Sequence, residues 1–214
     1  MKRQRNIKII ATLGPSTGNK QSIRELFEAG ADAFRLNFSH GDCNEHLNNI
    51  KLIRELENST GKHISIISDL QGPKIRIGKI SKGFAVLKNG EQVRLDKNIN
   101  LGNSKILPLH HKEIFPLVKK GHYILIDDGR VRLKVDKVGK NFIDSSIIIG
   151  GRITNNKGVN IPNLALPIKA LTDKDIVNLN FSLKNEVDWI ALSFVQRPKD
   201  VIEAHKLIAG RAGL

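Results

Sequence analysis

The sequence predicts an α/β fold with an all-β module set into it. Apolar runs of strand length alternate with helix-spaced segments as far as Ser68, which is the pattern of a parallel sheet covered by helices. Between Lys74 and Lys169 that pattern gives way to short alternating runs separated by Gly, Asn and Asp, and after Pro167 the helical period returns.

Each element follows from its local pattern. Ile7 to Leu13 is an apolar run stopped by Gly14 and Pro15, and reads as a buried strand. From Ser22 to Ala29, Ile23, Leu26 and Phe27 recur at helical spacing, and Gly30 supplies a stop. Ala33 to Phe38 alternates, with Phe34, Leu36 and Phe38 on one side and Arg35, Asn37 and Ser39 on the other. A helix is expected from Glu45 to Glu57, burying Leu47, Ile50, Ile53 and Leu56, and Ile64 to Ser68 forms the third strand. The βαβαβ order implies parallel pairing.

In the module, strands are expected at Ile75–Ile77, Phe84–Leu87, Gln92–Leu95, Tyr123–Ile126, Val131–Val135 and Ile147–Ile149. Asp128-Gly129 is the dipeptide of a two-residue type I′ hairpin turn. Beyond it, Thr172 is placed to cap a helix carrying Ile176, Leu179 and Leu183. A strand is expected from Asp188 to Val195, with Trp189 in the core, and a last helix from near Pro198. The expected domains are therefore 1–72, the inserted module 73–168, and 169–214. Four βα units suit either a small open sheet or half of an eight-stranded barrel, and periodicity does not choose between them.

Composition narrows the function classes. The 214 residues are 40% hydrophobic, enough for ordinary cores, and contain no run of 18 apolar residues and no secretory cleavage pattern. A membrane span is not expected, and a cytoplasmic location is. The single cysteine, Cys43, has no partner for an intrachain disulfide and reads as structural or incidental. A net charge of +14 points to an anionic partner. Nucleic acid is disfavoured, since the bases are spread along the chain, with the longest cluster at residues 2–5, and one Trp and one Tyr make no aromatic-basic strand. Small phosphorylated ligands account for the charge at least as well as nucleic acid does, and an acidic partner region outside this chain is a third account.

Three stretches carry candidate chemistry. In RLNFSHG (35–41), period two aligns the guanidinium of Arg35, the amide of Asn37 and the hydroxyl of Ser39, a row suited to phosphate oxygens or to a monovalent cation. In DLQGPKIR (69–76), an acid, a Gly-Pro turn and two bases, Lys74 and Arg76, lie within eight residues, so a phosphate and a cation can be held together. Asp69 can equally pair with an arginine for structure alone. In KGVNIP (157–162), Lys157 beside a glycine can swing onto a phosphate, although most surface lysines are only solvated. The adjacent His110 and His111 point to opposite faces if in a strand, and read as a solvated loop rather than a metal site.

These residues closely resemble the pyruvate kinase family. The resemblance runs through KIIATLGPST (8–17), RLNFSHG, DLQGPKIR, LIDDG (125–129), KGVNIP, LTDKD (171–175) and DWIALSFVQ (188–196), in order over nearly the whole chain. It implies a (β/α)8 TIM barrel, of which the first four βα units are present, with an all-β barrel domain inserted after strand 3. It also implies phosphotransfer from phosphoenolpyruvate to ADP, giving pyruvate and ATP, as the last step of glycolysis, with Mg2+ or Mn2+. By resemblance Arg35 is substrate-binding and catalytic, contacting the transferring phosphoryl group. Asn37, Ser39, Asp69 and the backbone carbonyl of Leu70 surround a monovalent cation. Asn37, His40, Arg76 and Lys157 are nucleotide-binding.

Two departures add expectations. Potassium-dependent members of the family typically carry threonine where this chain has Leu70 and glutamate where it has Lys74. A lysine ammonium can supply the positive charge of the ion, so K+ is not expected to be required. The chain is expected to stop in the fourth helix, short of the family's catalytic lysine and divalent-metal carboxylates, and so to be inactive alone. The family's homotetramer is not supported by these residues. The alternative is a non-catalytic module binding phosphate ligands or nucleic acid.

Overall fold

The computed structural model describes residues 6–164 and 167–214, and the basic cluster at 2–5 lies outside the described residues. The chain divides into two compact units, Met1–Pro73 with Lys169–Leu214, and Lys74–Ile168.

The first unit opens with β1 (Ile10–Leu13), α1 (Lys20–Ala29), β2 (Ala33–Asn37), α2 (Cys43–Thr60) and β3 (Ser65–Asp69). Both helices begin at caps supplied by the sequence. Asn19 accepts the Ser22 N–H at α1, and Asp42 and Glu45 form a reciprocal capping box at α2. The box starts α2 two residues before Glu45, and the left-handed Gly61 (φ 62°) stops it beyond Glu57, so the helix is longer than expected. Its buried face is His46, Asn49, Ile50, Ile53 and Leu56, with Leu47 only half-buried. β1 is shorter than Ile7–Leu13 and is not buried: Ile10 is 54% exposed. It pairs with β2 alone and forms an edge of its sheet.

The second unit contains β4 (Lys79–Ile80), β5 (Phe84–Leu87), β6 (Gln92–Asp96), β7 (Leu101–Gly102), β8 (Ile106–Pro108), β9 (Tyr123–Ile126), β10 (Val131–Val138), β11 (Phe142–Ile149), β12 (Gly151–Thr154) and β13 (Val159–Asn160). Alternation builds its core. In β10, Val131, Leu133 and Val135 are buried while Arg132 and Lys134 face solvent, and Leu95, Ile124, Ile126, Ile143 and Ile147 join them from neighbouring strands. The main ladder runs β13-β9-β10-β11-β6-β8, with separate β12-β5 and β4-β7 pairs, and does not close on itself among the described residues. Ile75–Ile77 is not a strand but a single bridge between Arg76 and Gly158. The hairpin turn also departs from expectation. Asp128 and Gly129 have the positive φ of a type I′ turn, but Asp127 is left-handed too (φ 54°), so pairing ends at Ile126–Val131 and the loop has the four residues 127–130.

The chain re-enters the first unit through α3 (Asp173–Lys184), β14 (Trp189–Ala191) and α4 (Pro198–Ile208). The sheet order is β1-β2-β3-β14 with every pair parallel, so strands follow chain order without the reversal of a doubly wound sheet. One face of the sheet, Phe34, Leu36, Ile66 and Ile190, is buried; the other, with Arg35, Ile67 and Asp69, is partly open. Trp189 shares that open face and is 48% exposed rather than core. β14 ends at Ala191 because the chain turns at Phe194 (φ 58°). In α3 the capping box of Thr172 and Asp175 sets a buried stripe of Asp175, Asn178, Leu179, Ser182 and Leu183, which leaves Ile176 outside it. Residues 209–214 are not helical: α4 ends at Ile208, and Gly213 bridges Trp189 in parallel, packed so closely on the indole that no Cβ would fit.

The N-terminal ends of β3 and β14 are tied together by Arg54. Its guanidinium donates to Glu57 (2.7 Å), Asp188 (3.0 Å) and the carbonyls of Ile64 (3.1 Å) and Glu186 (2.8 Å), while His63 lies between Glu57 (2.5 Å) and Asp188 (3.2 Å). Burial alone would raise the Glu57 carboxyl, but hydrogen bonds from Arg54 and His63 outweigh it and hold the group below its usual 4.5. Because the folded value is the lower one, this stabilisation is complete above 4.5 and is lost as pH falls through the folded value. Arg54→Ala is expected to lower the unfolding free energy by about 2–4 kcal/mol, since it removes the guanidinium's four hydrogen bonds to two carboxylates and two carbonyls. Urea denaturation measures this, and a loss below about 0.5 kcal/mol would count against the network.

Candidate active site

Parallel strands bring their C-terminal ends to one edge of a sheet, and there the polar residues of the first unit converge. Thr12 on β1 lies directly opposite Arg35 on β2, and Asn37 opposite Asp69 on β3. Arg35 Nε donates to Asp69 Oδ2 at 2.9 Å, Nη2 pairs with the same oxygen, and Nη1 donates to Thr12 Oγ1 at 3.0 Å. Three of the five N–H groups are thus used, which leaves one on each terminal nitrogen without a partner among the described residues. The Ser193 hydroxyl donates to Asp69 Oδ1 at 3.1 Å. Arginine and aspartate neutralise each other on a partly open face, which holds the guanidinium in one orientation without removing all of its donors.

The turn after β2 is built on Asn37, whose Oδ1 accepts the Ser39 N–H (3.0 Å) and whose carbonyl accepts the His40 N–H (3.1 Å). His40 is exposed, and its carbonyl meets His46 Nε2 at 3.0 Å. Burial pushes the His46 imidazole below its usual 6.5, outweighing the opposing pull of the His40 carbonyl, Glu45 and Asp42. Beside this turn lies a cleft of about 610 Å³ between the β1–α1 and β2–α2 connections, with walls that include Thr12, Pro15, Asn37, His40, His46 and Asn49. Leu70 is buried at the end of β3, where its N–H donates to the Ala191 carbonyl (3.0 Å). The following turn is pinned. Gly72 has φ 65° and would set a Cβ 2.7 Å from Phe194, and its N–H reaches the buried Asp175 carboxylate at 3.2 Å.

Within the second unit, Arg76 and Lys157 sit on neighbouring segments. Arg76 Nη1 donates to the Asn156 carbonyl at 2.8 Å, its N–H points to His111 Nε2 at 3.4 Å, and Ile77 N–H donates to the Lys157 carbonyl at 3.0 Å. Lys157 Nζ is 2.7 Å from Asp127 Oδ1. Lys74 is half-buried, its stem against Gly158. His111, expected in a solvated loop, instead contacts Glu113 (3.1 Å) and backs the Arg76 segment. The bases are spread along the chain, but the acids are not: Lys74–Ile168 holds 18 Lys and Arg against 7 Asp and Glu, or +11 of the +14. Among the described residues no three His, Cys, Asp or Glu side chains converge as a metal-ligand set, and no helix is long and apolar enough to cross a membrane.

The sequence model of the pyruvate kinase barrel domain matches residues 4–213. The chain belongs to the pyruvate kinase family. A pyruvate kinase of Agrobacterium vitis is 47% identical over 215 residues, covering 100% of this chain and 45% of the relative. One of Methylorubrum extorquens is 45% identical over 212 residues, covering 99% of this chain and 44% of the relative. A third, from Clostridium perfringens, is 38% identical over 207 residues, covering 96% and 44%. The chain thus spans about 45% of the length of the curated pyruvate kinase with which it shares 47% identity.

The pyruvate kinase motifs were legible as short strings, but their partners were not. Thr12, Ser193, Asp127, His111 and Asp175 orient Arg35, Asp69, Lys157, Arg76 and Gly72 respectively, as the distances above show. Thr12, Asp127, Asp175 and Ser193 lie inside the motif segments, but their pairings join residues up to 124 positions apart and follow from strand register rather than from any local pattern.

Proposed function

We propose that this chain carries the phosphoenolpyruvate- and nucleotide-binding residues of a pyruvate kinase, which transfers the phosphoryl group of phosphoenolpyruvate to ADP to give pyruvate and ATP. The observation that carries this is Arg35, fixed by Asp69 and Thr12 at the strand ends beside a cleft of about 610 Å³. A clamped guanidinium with donors to spare suits a transferring phosphoryl group, whose charge spreads over its equatorial oxygens as the bond to the enol oxygen breaks. Asn37 and His40 border the nucleotide, and Arg76 and Lys157 neutralise its phosphates. In this proposal the four parallel strands, in chain order, are half of a (β/α)8 barrel with the β-rich unit inserted after β3.

The oxygens of Asn37, Ser39, Asp69 and the Leu70 carbonyl are the hard donors an alkali cation takes, and they are the residues that would hold one. Such an ion would supply positive charge for the phosphoryl group; the Lys74 ammonium carries the same charge in this chain, so K+ is not required. Mg2+ or Mn2+ would accompany the substrates' phosphates. Taken alone, the 214 residues are expected to bind nucleotide without turnover.

Pyruvate formation from phosphoenolpyruvate and ADP by the protein that contains this chain tests the assignment, with calorimetric titration of ADP alongside. Turnover and saturable ADP binding are expected. Absent turnover, with binding only to single-stranded DNA that weakens steeply with salt, would replace the enzyme with a binding module.

A further inference from the structure

We propose that His46 is a positioning residue for the nucleotide cleft: its imidazole holds the β2–α2 turn, and through it the side chain of His40, in place. This rests on the cleft being the ADP site, as proposed above. Three observations carry it.

First, the ring has one possible tautomer. A carbonyl only accepts, so the contact of His46 Nε2 with the His40 carbonyl at 3.0 Å requires the proton on Nε2. Nδ1 is then a bare acceptor, and it is buried with no partner among the described residues. An apolar side chain of similar size would avoid that cost, so the Nε2–H donor is the feature of histidine that the site uses. Second, the turn rests on the ring. Phe38 packs against it with centroids 4.2 Å apart and the rings tilted by 34°, and a Cβ at Gly41 would lie 3.4 Å from Nε2 and 2.7 Å from the Glu45 carboxylate. Third, the bonds form a chain. The Asn37 carbonyl accepts from His40 N–H, the His40 carbonyl accepts from His46, and the Asp42–Glu45 capping box closes the other side of the turn.

Arg35 and Asp69 stand apart from this chain, because the parallel ladder of β1, β2 and β3 holds their backbones. Loss of the His46 donor therefore loosens one wall of the cleft and leaves the arginine clamp where it is. An effect on ADP without an effect on phosphoenolpyruvate is the signature, and a general loss of stability would not produce it.

The experiment compares His46→Leu, which keeps bulk and loses the donor, with His46→Gln, whose amide N–H can reach the same carbonyl. In the protein that contains this chain, His46→Leu is expected to raise KM for ADP about tenfold, while KM for phosphoenolpyruvate stays within about twofold and His46→Gln recovers most of the loss. Amide hydrogen exchange at residues 38–41 needs no activity; it is expected to speed up in His46→Leu and not in His46→Gln. Equal behaviour of the two variants, a parallel rise in both KM values, or unchanged exchange would overturn the proposal. Should the unsubstituted protein form no pyruvate while exchange responds as expected, the assignment of the reaction fails and the clamp on the turn stands.

Discussion

Arg35→Lys is expected to lower kcat/KM for phosphoenolpyruvate by about 10³-fold in the protein that contains this chain. Charge is retained, so the loss reports geometry. The guanidinium reaches Asp69 through Nε and Nη2 and Thr12 through Nη1, which fixes its plane. A lysine has a single nitrogen on a flexible stem: paired with Asp69, it no longer presents donors at the same place. The partner carboxylate, 17% exposed, would be left less well compensated, so a moderate loss of stability accompanies the kinetic one. Steady-state kinetics with phosphoenolpyruvate varied at saturating ADP measures the effect, with thermal unfolding as the control. An activity within about tenfold of the unsubstituted protein would remove Arg35 from the reaction.

Lys74→Glu is expected to make activity depend on potassium, with turnover in potassium-free buffer falling about 100-fold and largely restored by added K+. The substitution replaces a positive charge by a negative one, and in the proposal above an alkali ion held by Asn37, Ser39, Asp69 and the Leu70 carbonyl would offset that change. Pairing it with Leu70→Thr adds a hydroxyl oxygen to that set and is expected to deepen the rescue, although Leu70 is buried and its loss costs packing. The unsubstituted protein should show no response to K+ in a tetramethylammonium background. If it is inactive there and K+ revives it, the proposal for Lys74 is wrong.

Much of this was legible in the chain because local chemistry decides it. Gly30 stops α1, Thr172 and Pro198 start α3 and α4, and alternation in VRLKV places the core of the β-rich unit. The errors lie where a residue's neighbours come from far along the chain. An indole suggests a core position for Trp189, but pairing of β14 with β3 puts it on the open face of the sheet beside Ile67. The apolar run through Ile10 reads as a buried strand, yet β1 has a neighbour on one side only. The DG dipeptide gave the turn its positive φ values, but it did not reveal that Asp127 would also turn left-handed with its carboxylate on Lys157.

Local pattern picks out the residues available for chemistry: the Arg35, Asn37 and Ser39 row, the acid at 69, the bases at 74 and 76, and the lysine at 157. Spacing along a strand or turn is a property of adjacent residues, so it can be read without a fold. What holds each of them in place comes from contacts between distant parts of the chain. Arg35 and Asp69 are 34 positions apart, and Asp69 and Ser193 are 124 apart. Those contacts exist because parallel strands deliver their ends to one edge, and strand register, which no local pattern states, selects which side chains meet there.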